Sequence, residues 1–317
     1  MQLQFSIPLF FNRFFCKNIR MKKILLLIIL TLSIVVNAKG QDIRVYFNQP
    51  VDSSVSGITD AKSSSHLEDT ICALINLASK SIDIAVWDNG STNIVAALNN
   101  AYARGVRVRY VSSTNSLNSA LSGLNSSIPV LMRTSGLTSN VMHNKFVIFD
   151  SLTLLTGSMN FGLGSMVNDY NNIIIIKNTD LAQNYITEFN EMWGSSGAFP
   201  DLDLSKFGPA KTDNTIHGFN VNGIPIQNYF SPTDHTTEQI IAAINSADYT
   251  LDIAMFTFIN NDIGDAVVAA KNRGVTVRCV IENISYIGSE YNNLINNGIT
   301  VRSHENIPYD FHHKYCI

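Results

Sequence analysis

The stretch that decides the fold runs from His143 to Asn160 and reads HNKFVIFDSLTLLTGSMN. Its polar residues form the pattern H-x-K-x4-D-x6-G-S-x-N, with apolar runs between them. Each fixed residue type is expected at a few per cent, so the six together would match by chance on the order of once in 10^8 starting points. A second H-x-K is formed by His312 and Lys314, near the end of the chain. The pattern and its repeat are therefore a specific signal.

The recurrence extends beyond the motif and keeps one register. Residues 82–85 (IDIA) fall on residues 251–254 (LDIA), and Arg109 falls on Arg278, at the same offset that relates His143 to His312. Similarity at a fixed period indicates two copies of one structural unit. Because this period is more than half the length of the chain, and far too long for a solenoid repeat, the sequence predicts two duplicated domains.

Within each copy, helical and strand periodicities alternate along the chain. Residues 67–78 carry apolar side chains at helical spacing, and residues 81–87 form a short apolar strand. Residues 146–149 (FVIF) are continuously apolar, as expected for a strand that is covered on both faces. Strands that alternate with helices predict an α/β fold, in which each domain has a mixed, mainly parallel sheet flanked by helices.

The two ends of the chain predict an exported protein with two domains. Residues 21–38 have the basic start, the apolar stretch (24–36) and the small residues of a signal peptide, with cleavage after Ala38 and a periplasmic or secreted product. The expected segments are an upstream extension at 1–20, the signal peptide at 21–38, a first domain at 39–193, a linker rich in Gly, Ser and Pro at 194–225, and a second domain at 226–317.

The charge of the chain argues against a general affinity for polyanions. Cleavage after Ala38 removes five basic residues and no acidic ones, which leaves 17 Lys and Arg against 25 Asp and Glu, a formal charge of −8. An acidic chain needs a local basic patch to bind nucleic acid, and no run of basic residues is present in the mature sequence. No spacing of His, Cys and Asp resembles a metal site, so neither a metal nor another cofactor is expected.

The spacing of the motif brings four functional groups together. Side chains alternate along a strand, so His143 and Lys145 project from one face, and Ser158 and Asn160 share a face after the turn. A neutral imidazole can attack phosphorus, while an ammonium and a carboxamide stabilise the charge that develops on the non-bridging oxygens. The leaving oxygen needs a proton from a second histidine, which the second copy supplies as His312. This combination indicates metal-independent cleavage of a phosphodiester.

The two motifs resemble those of the phospholipase D superfamily, and the resemblance covers residues 43–317. It implies two similar α/β domains related by a pseudo-two-fold axis, with one active site between them and a phosphohistidine intermediate. Which histidine attacks stays open at this point. The residues carried over are the nucleophile and acid/base pair His143 and His312, the catalytic lysines and phosphate binders Lys145 and Lys314, the further phosphate-binding residues Ser158 and Asn160, and an orienting carboxylate, Asp150.

Some residues depart from the family pattern or have structural interpretations. By the register of the first copy, the second motif is cut by the end of the chain at Ile317, before its Asp and its Gly-Ser-x-Asn. Tyr170 stands where many relatives carry Glu. By strand alternation, His313 is expected to face away from the site. Asp83 and Asp252 lie in matched strands and are expected to be structural polar anchors.

The sequence favours an exported phospholipase D-like phosphodiesterase that acts on a phospholipid head group. The alternatives are a metal-independent endonuclease of the same superfamily and a non-catalytic binding module on the duplicated scaffold. The expected partners are a phospholipid or another phosphodiester, a membrane surface and, under the first alternative, nucleic acid. No obligate protein partner is inferred.

Overall fold

The computed structural model describes residues 42–49, 62–63, 66–114, 117–134, 141–305 and 307–317. The predicted upstream extension (1–20) and signal peptide (21–38) lie outside these ranges. Among the described residues, no helix combines the length and the apolar character that a bilayer crossing requires.

The first half of the chain alternates strands with helices. Its strands, in the described ranges, are β1 (Ile43–Phe47), β2 (Lys62–Ser63), β3 (Ser81–Val86), β4 (Arg107–Ser113), β5 (Val130–Arg133), β6 (Lys145–Phe149), β7 (Thr153–Gly157) and β8 (Asn172–Lys177). Its α-helices are α1 (Leu67–Leu77), α2 (Thr92–Ala103), α3 (Leu163–Val167) and α4 (Thr179–Trp193).

These strands form one mixed sheet in the order β2-β1-β8-β7-β6-β3-β4-β5. Strands β3, β4 and β5 are parallel neighbours, whereas β6, β7 and β8 alternate in direction. Six of the eight strands run the same way, with β6 and β8 reversed. The predicted mixed, mainly parallel sheet is therefore confirmed for this half.

Helices cover both faces of the sheet. Apolar residues of α1 and α2 pack with Ile82 and Ile84 of β3 on one face. On the other face, α4 packs Phe189 and Trp193 against Ala85 and its neighbours. Because alternate residues of β3 enter opposite cores, the whole strand is buried, which explains its continuous apolar sequence.

The second half repeats this order on a smaller scale. Its described elements are β9 (Gly218–Val221), β10 (Ile224–Gln227), α5 (Thr236–Asn245), β11 (Thr250–Met255), α6 (Asn261–Asn272), β12 (Thr276–Ile281), α7 (Tyr291–Asn296), β13 (Thr300–Ser303) and β14 (Lys314–Cys316). Strands β13, β12 and β11 are parallel and β14 is antiparallel at the edge, in the order β13-β12-β11-β14.

Helices α2 and α6 show how closely the halves correspond. Their first and last residues match at the offset of the sequence repeat, and so do the residues that cap them, Ser91 and Asn260. Ser91 Oγ accepts a hydrogen bond of 3.0 Å from Ile94 N, three residues later in the chain. Asn260 Oδ1 accepts one of the same length from Ile263 N. The same local rule therefore starts both helices, and Ile43–Ile317 makes up one compact unit.

The segment at 194–225, predicted as a linker from its composition, carries structure of its own. It includes β9 and the first residues of β10, which pair as an antiparallel hairpin. It also contributes Lys211, whose ammonium lies 2.6 Å from the carboxylate of Glu188 on α4, with both side chains buried. The connection between the halves is thus packed against the first half.

Asp83 and Asp252 anchor their sheets through arginines of the next strand, as predicted. Asp83 accepts a hydrogen bond of 2.6 Å from Arg109 Nε, and both side chains are only 1% exposed. Asp252 pairs with Arg278 at 2.6 and 2.7 Å, but this pair is exposed to solvent. The same sequence feature is therefore a buried ion pair in one half and a surface pair in the other.

Candidate active site

The two H-x-K pairs occupy equivalent positions in the two halves. Lys145 begins β6 and pairs with Val86 at the end of β3. Lys314 begins β14 and pairs with Met255 at the end of β11. Each pair therefore lies at the edge where the central strand of its sheet ends.

Each lysine is held by the backbone of its own motif. Lys145 Nζ donates to His143 O at 3.0 Å, and Lys314 Nζ donates to His312 O at 2.7 Å. Burial lowers the pKa of Lys314, and the nearby charge of Lys145 lowers it further. Two lysines that repel each other electrostatically favour the binding of an anion near them, as a phosphodiester requires.

An aromatic residue supports each histidine in the same way. The His143 ring packs edge-on against Trp87, with centroids 5.4 Å apart, and the His312 ring packs edge-on against Phe256 at 4.9 Å. Trp87 and Phe256 are themselves equivalent positions of the repeat. These contacts restrict the orientation of both imidazoles.

One cavity of about 660 Å³ brings the two histidines together. His143 and His312 both line it, and Asn160 of the first motif lies in its wall. The predicted phosphate-binding Asn160 is therefore at the site with both histidines. Its buried Oδ1 has no hydrogen-bond partner among the described residues.

Burial sets the protonation of the histidines and lysines. Desolvation, followed by the charges of both motif lysines, lowers the pKa of His143 to about 4 and that of His312 to about 3. Both imidazoles are therefore neutral at pH 7, as a nucleophile must be. Desolvation also lowers the pKa of Lys145 and of Lys314 to about 7, and a bound anion favours the charged form of both ammonium groups.

Asn171, from the first half, holds the histidine of the second half. Asn171 Nδ2 donates to Ser165 O at 2.9 Å, so its Oδ1 is the atom that faces His312 Nδ1, at 2.9 Å. An amide oxygen only accepts, and Nδ1 must therefore carry the proton. The neutral His312 ring consequently has its lone pair on Nε2. Tyr170 is the residue of this run that departs from the family pattern, but the neighbouring Asn171 makes the contact.

Tyr170 points into the second half instead. Its backbone N–H donates to Asp310 O at 2.8 Å, and its ring packs edge-on against His304 with centroids 4.9 Å apart. His304 Nδ1 in turn lies 2.7 Å from Glu282 Oε2. Tyr170 therefore joins the halves beside the cavity rather than supplying a group to it.

The hydroxyl of Ser158 positions Asn171, which corrects its predicted role in binding phosphate. Ser158 Oγ accepts from Asn172 N at 3.1 Å and donates to Asn171 Oδ1 at 2.8 Å. Asn171 Oδ1 thus accepts from both Ser158 and His312. The Ser158 side chain is buried and contacts Asn171, and the Ser158 backbone is also hydrogen-bonded to His312.

The prediction that Asp150 orients a site histidine is wrong. Its carboxylate accepts hydrogen bonds from the backbone N–H groups of Ser79, Lys80 and Ser81, at 2.7 to 3.1 Å. Burial raises its pKa, but these bonds outweigh that effect and hold the pKa below its usual value. Asp150 follows β6 at the end opposite Lys145, so it fixes the start of β3.

His313 faces away from His312, as strand alternation predicts. Its ring is buried against Phe47, Phe311 and Tyr315. Its Nδ1 lies 3.1 Å from Asn172 Oδ1, whereas His312 meets the preceding residue, Asn171. The two adjacent histidines, just before β14, thus contact two adjacent asparagines.

Three carboxylates that were not predicted from the sequence line the same cavity: Asp88, Asp169 and Asp310. Burial raises the pKa of Asp88 to about 6, with Lys145 acting in the opposite direction. Asp310 N donates to Asp169 Oδ1 at 3.2 Å, across the junction of the halves. Asp88 could have been predicted, because it follows the end of β3 at Val86. The positions of Asp169 and Asp310 depend on how the two halves meet.

One group of potential metal ligands lies outside the cavity. In the described ranges, Asp213, His217 and Asp234 bring ligand atoms within 4.8 Å of one another. Hydrogen bonds already engage them, because His217 lies 3.0 Å from Asp213 and Asp234 accepts from Phe230 N at 2.7 Å. This group is separate from the residues that carry the chemistry.

Comparisons with known proteins identify the family of this chain. Residues 71–193 and 240–317 match the family model described as cardiolipin synthase, PLD-like domain. The mitochondrial cardiolipin hydrolase of Mus musculus is 27% identical over 137 residues, covering 40% of this chain and 60% of that protein. A phospholipase D of Rickettsia conorii is 32% identical over 117 residues, covering 35% of this chain and 56% of that protein.

The chain therefore spans less than two thirds of either relative. Among solved structures, the phosphatidylserine synthase of Haemophilus influenzae covers 80% of this chain and 74% of its own, with a TM-score of 0.55 and 12% identity. That likeness shows the fold. Because the family model matches well over half of the sequence, the chain belongs to the phospholipase D-like family that the duplicated motif indicated.

Proposed function

We propose that this protein is a phosphodiesterase that cleaves the head-group ester of a phospholipid through a covalent phosphohistidine. The observation that carries the proposal is the meeting of His143 and His312 in one cavity. The names of the relatives, phospholipase D and cardiolipin hydrolase, support a lipid substrate. Export after cleavage near Ala38 is part of the proposal.

In the first step, His312 attacks phosphorus. Its neutral ring carries the proton on Nδ1, facing Asn171, which leaves the Nε2 lone pair to form the new P–N bond. The P–O bond to the leaving group breaks, and protonated His143 gives its proton to that oxygen. The negative phosphate between the two lysines favours protonation of His143 in the substrate complex. Lys145 and Lys314 stabilise the charge on the non-bridging oxygens.

In the second step, His143 is the base. It takes a proton from water as the oxygen attacks phosphorus, the P–N bond breaks, and its electron pair returns to His312 Nε2. His143 regains the proton that it gave up, so the cycle closes. The attack is assigned to His312 because its hydrogen bond to Asn171 fixes the proton on Nδ1 and leaves the Nε2 lone pair available.

Hydrolysis in the presence of a chelator tests this chemistry. We expect the full chain to cleave bis(p-nitrophenyl) phosphate and phospholipid vesicles at rates that EDTA leaves unchanged within about twofold, because two histidines and two lysines supply all the steps. Loss of the rate in EDTA and its return with Mg²⁺ or Zn²⁺ would point to metal-assisted chemistry instead.

Two controls make that result interpretable. Melting temperatures with and without EDTA show whether the chelator unfolds the protein, for example by removing a metal from the Asp213 group. An unchanged melting temperature would assign any loss of rate to the chemistry. Single-stranded and double-stranded DNA, tested at several salt concentrations, examine the nuclease alternative, for which cleavage should fall steeply with salt. Binding of a diester with no cleavage of any substrate would favour a non-catalytic module.

A further inference from the structure

Helix α3, next to the motif, exposes apolar side chains. Leu163 and Val167 lie one helical turn apart and are each 58% exposed, whereas Met166 between them is buried. Residues at i and i+4 share a face of a helix, so Leu163 and Val167 form a small apolar face toward solvent. Leu163 also lines the cavity that holds the two histidines.

Leu117 continues this apolar surface from another segment. It is 53% exposed and lines the same cavity. Gly90 lies between Leu117 and the start of α3. A Cβ atom on Gly90 would lie 3.6 Å from Leu117 O and 3.7 Å from Gly162 Cα. We call Leu117, Leu163 and Val167 the apolar rim. Apolar groups that cluster at the entrance of a site mark an interaction surface more often than scattered ones do.

The charges near the apolar rim narrow the choice of partner. Asp88, Asp169 and Asp310 line the cavity behind it. These three carboxylates outnumber the two motif lysines, Lys145 and Lys314, so the site has no excess of positive charge to hold a polyanion such as DNA or a strongly anionic lipid surface. A bilayer of uncharged or zwitterionic lipids carries no such negative charge. Its head groups have zero net charge, and the interface beneath them is apolar.

We infer that the apolar rim is the surface by which this protein contacts a bilayer of zwitterionic phospholipids. The inference rests on the proposed function and adds the docking surface and the lipid charge class. Leu163 and Val167 would enter the interface from α3 and Leu117 from the neighbouring segment, which brings the cavity mouth to the plane of the head groups.

The position of α3 also ties this surface to the catalytic groups. Ser165, on the same short helix, accepts the hydrogen bond from Asn171 Nδ2, and Asn171 holds His312. Ser165 Oγ also accepts from Asn160 N at 3.2 Å. Variants should therefore change Leu163, Val167 or Leu117 and leave Ser165 in place.

Vesicle sedimentation tests the inference. We expect the full chain to bind phosphatidylcholine/phosphatidylethanolamine vesicles, and the double variant Leu163→Ser/Val167→Ser to bind them about tenfold more weakly, because two apolar side chains no longer leave water. Leu117→Ser, on the other segment, should weaken binding independently. Val167 does not line the cavity, so hydrolysis of bis(p-nitrophenyl) phosphate by Val167→Ser alone should stay within about twofold of the wild-type rate.

Leu77→Ser is the matched control. Leu77 is 78% exposed and ends α1, next to the residues that bind Asp150 at the opposite end of the sheet. It should leave vesicle binding unchanged. Three results would overturn the inference. They are equal vesicle binding by the wild type and both rim variants, an equal loss of binding in Leu77→Ser, and tighter binding to phosphatidylglycerol vesicles than to zwitterionic ones.

The inference and the proposed function fail in different ways. If the wild type cleaves the soluble diester and the rim variants bind vesicles as well as the wild type does, the inference is wrong and the proposed function is unaffected. Wild-type protein that cleaves no diester sinks the proposed function, while sedimentation still measures whether the rim binds lipid.

Discussion

His312→Ala is expected to lower kcat/KM for bis(p-nitrophenyl) phosphate by at least about 10³-fold, because it removes the attacking group. His143→Ala should give a different defect. p-Nitrophenolate leaves without protonation, so the first step can proceed, but water then lacks its base. A burst of one p-nitrophenolate per enzyme followed by a stall is the expected trace for His143→Ala, and no burst is expected for His312→Ala.

Stopped-flow absorbance measures both traces, and His66→Ala is the control. His66 is an exposed histidine at the start of α1, with no side-chain capping bond, so its removal should not change the rate. Melting temperatures establish that each variant is folded. Wild-type turnover by His312→Ala, or a burst from His312→Ala and none from His143→Ala, would contradict the assigned roles.

Asp83→Ala is expected to destabilise the protein by roughly 3–5 kcal/mol, since removing one partner of a buried ion pair leaves the other charge buried. Arg109 would keep its cation–π contact with Phe189, 4.6 Å from the ring centroid, but would lose its carboxylate. The matching change in the second half, Asp252→Ala, removes an exposed partner of Arg278. That change should cost far less stability, because solvent screens the charges of an exposed pair.

Urea denaturation of the two variants beside wild type measures this difference. The two aspartates occupy the same position in the repeat, so the comparison isolates burial from sequence context. Equal losses for Asp83→Ala and Asp252→Ala would mean that burial of the first pair does not decide its contribution. Asp83→Asn, which keeps the shape, should fall between Asp83→Ala and wild type.

The sequence contained enough to predict the repeat, the alternation of strands and helices, and the H-x-K pairs. These features depend on local periodicity and on a fixed register, as the matched caps Ser91 and Asn260 illustrate. The sequence also argues against the predicted role of Asp150, through its spacing from Lys145. The residues of β6, at about 3.3 Å each, separate Lys145 from Asp150 by roughly 16 Å, too far for a contact with the same site.

The partner of His312 could not be predicted in the same way. Asn171 lies far earlier in the chain and reaches His312 only because the two halves meet. Asp169 and Asp310 come together for the same reason. Strand and helix periodicities describe each half by itself, so contacts between the halves are the part that required the structure.

The mass of the enzyme trapped during turnover tests covalent catalysis most directly. Phosphohistidine survives alkali better than acid, so His143→Ala mixed with bis(p-nitrophenyl) phosphate should be quenched in base, digested and analysed by mass spectrometry. We expect one p-nitrophenylphosphoryl group, located on the peptide that contains His312. Full hydrolytic activity in the wild type with no histidine adduct on any peptide would contradict covalent catalysis, and an adduct on His143 in the wild type would reverse the assigned roles.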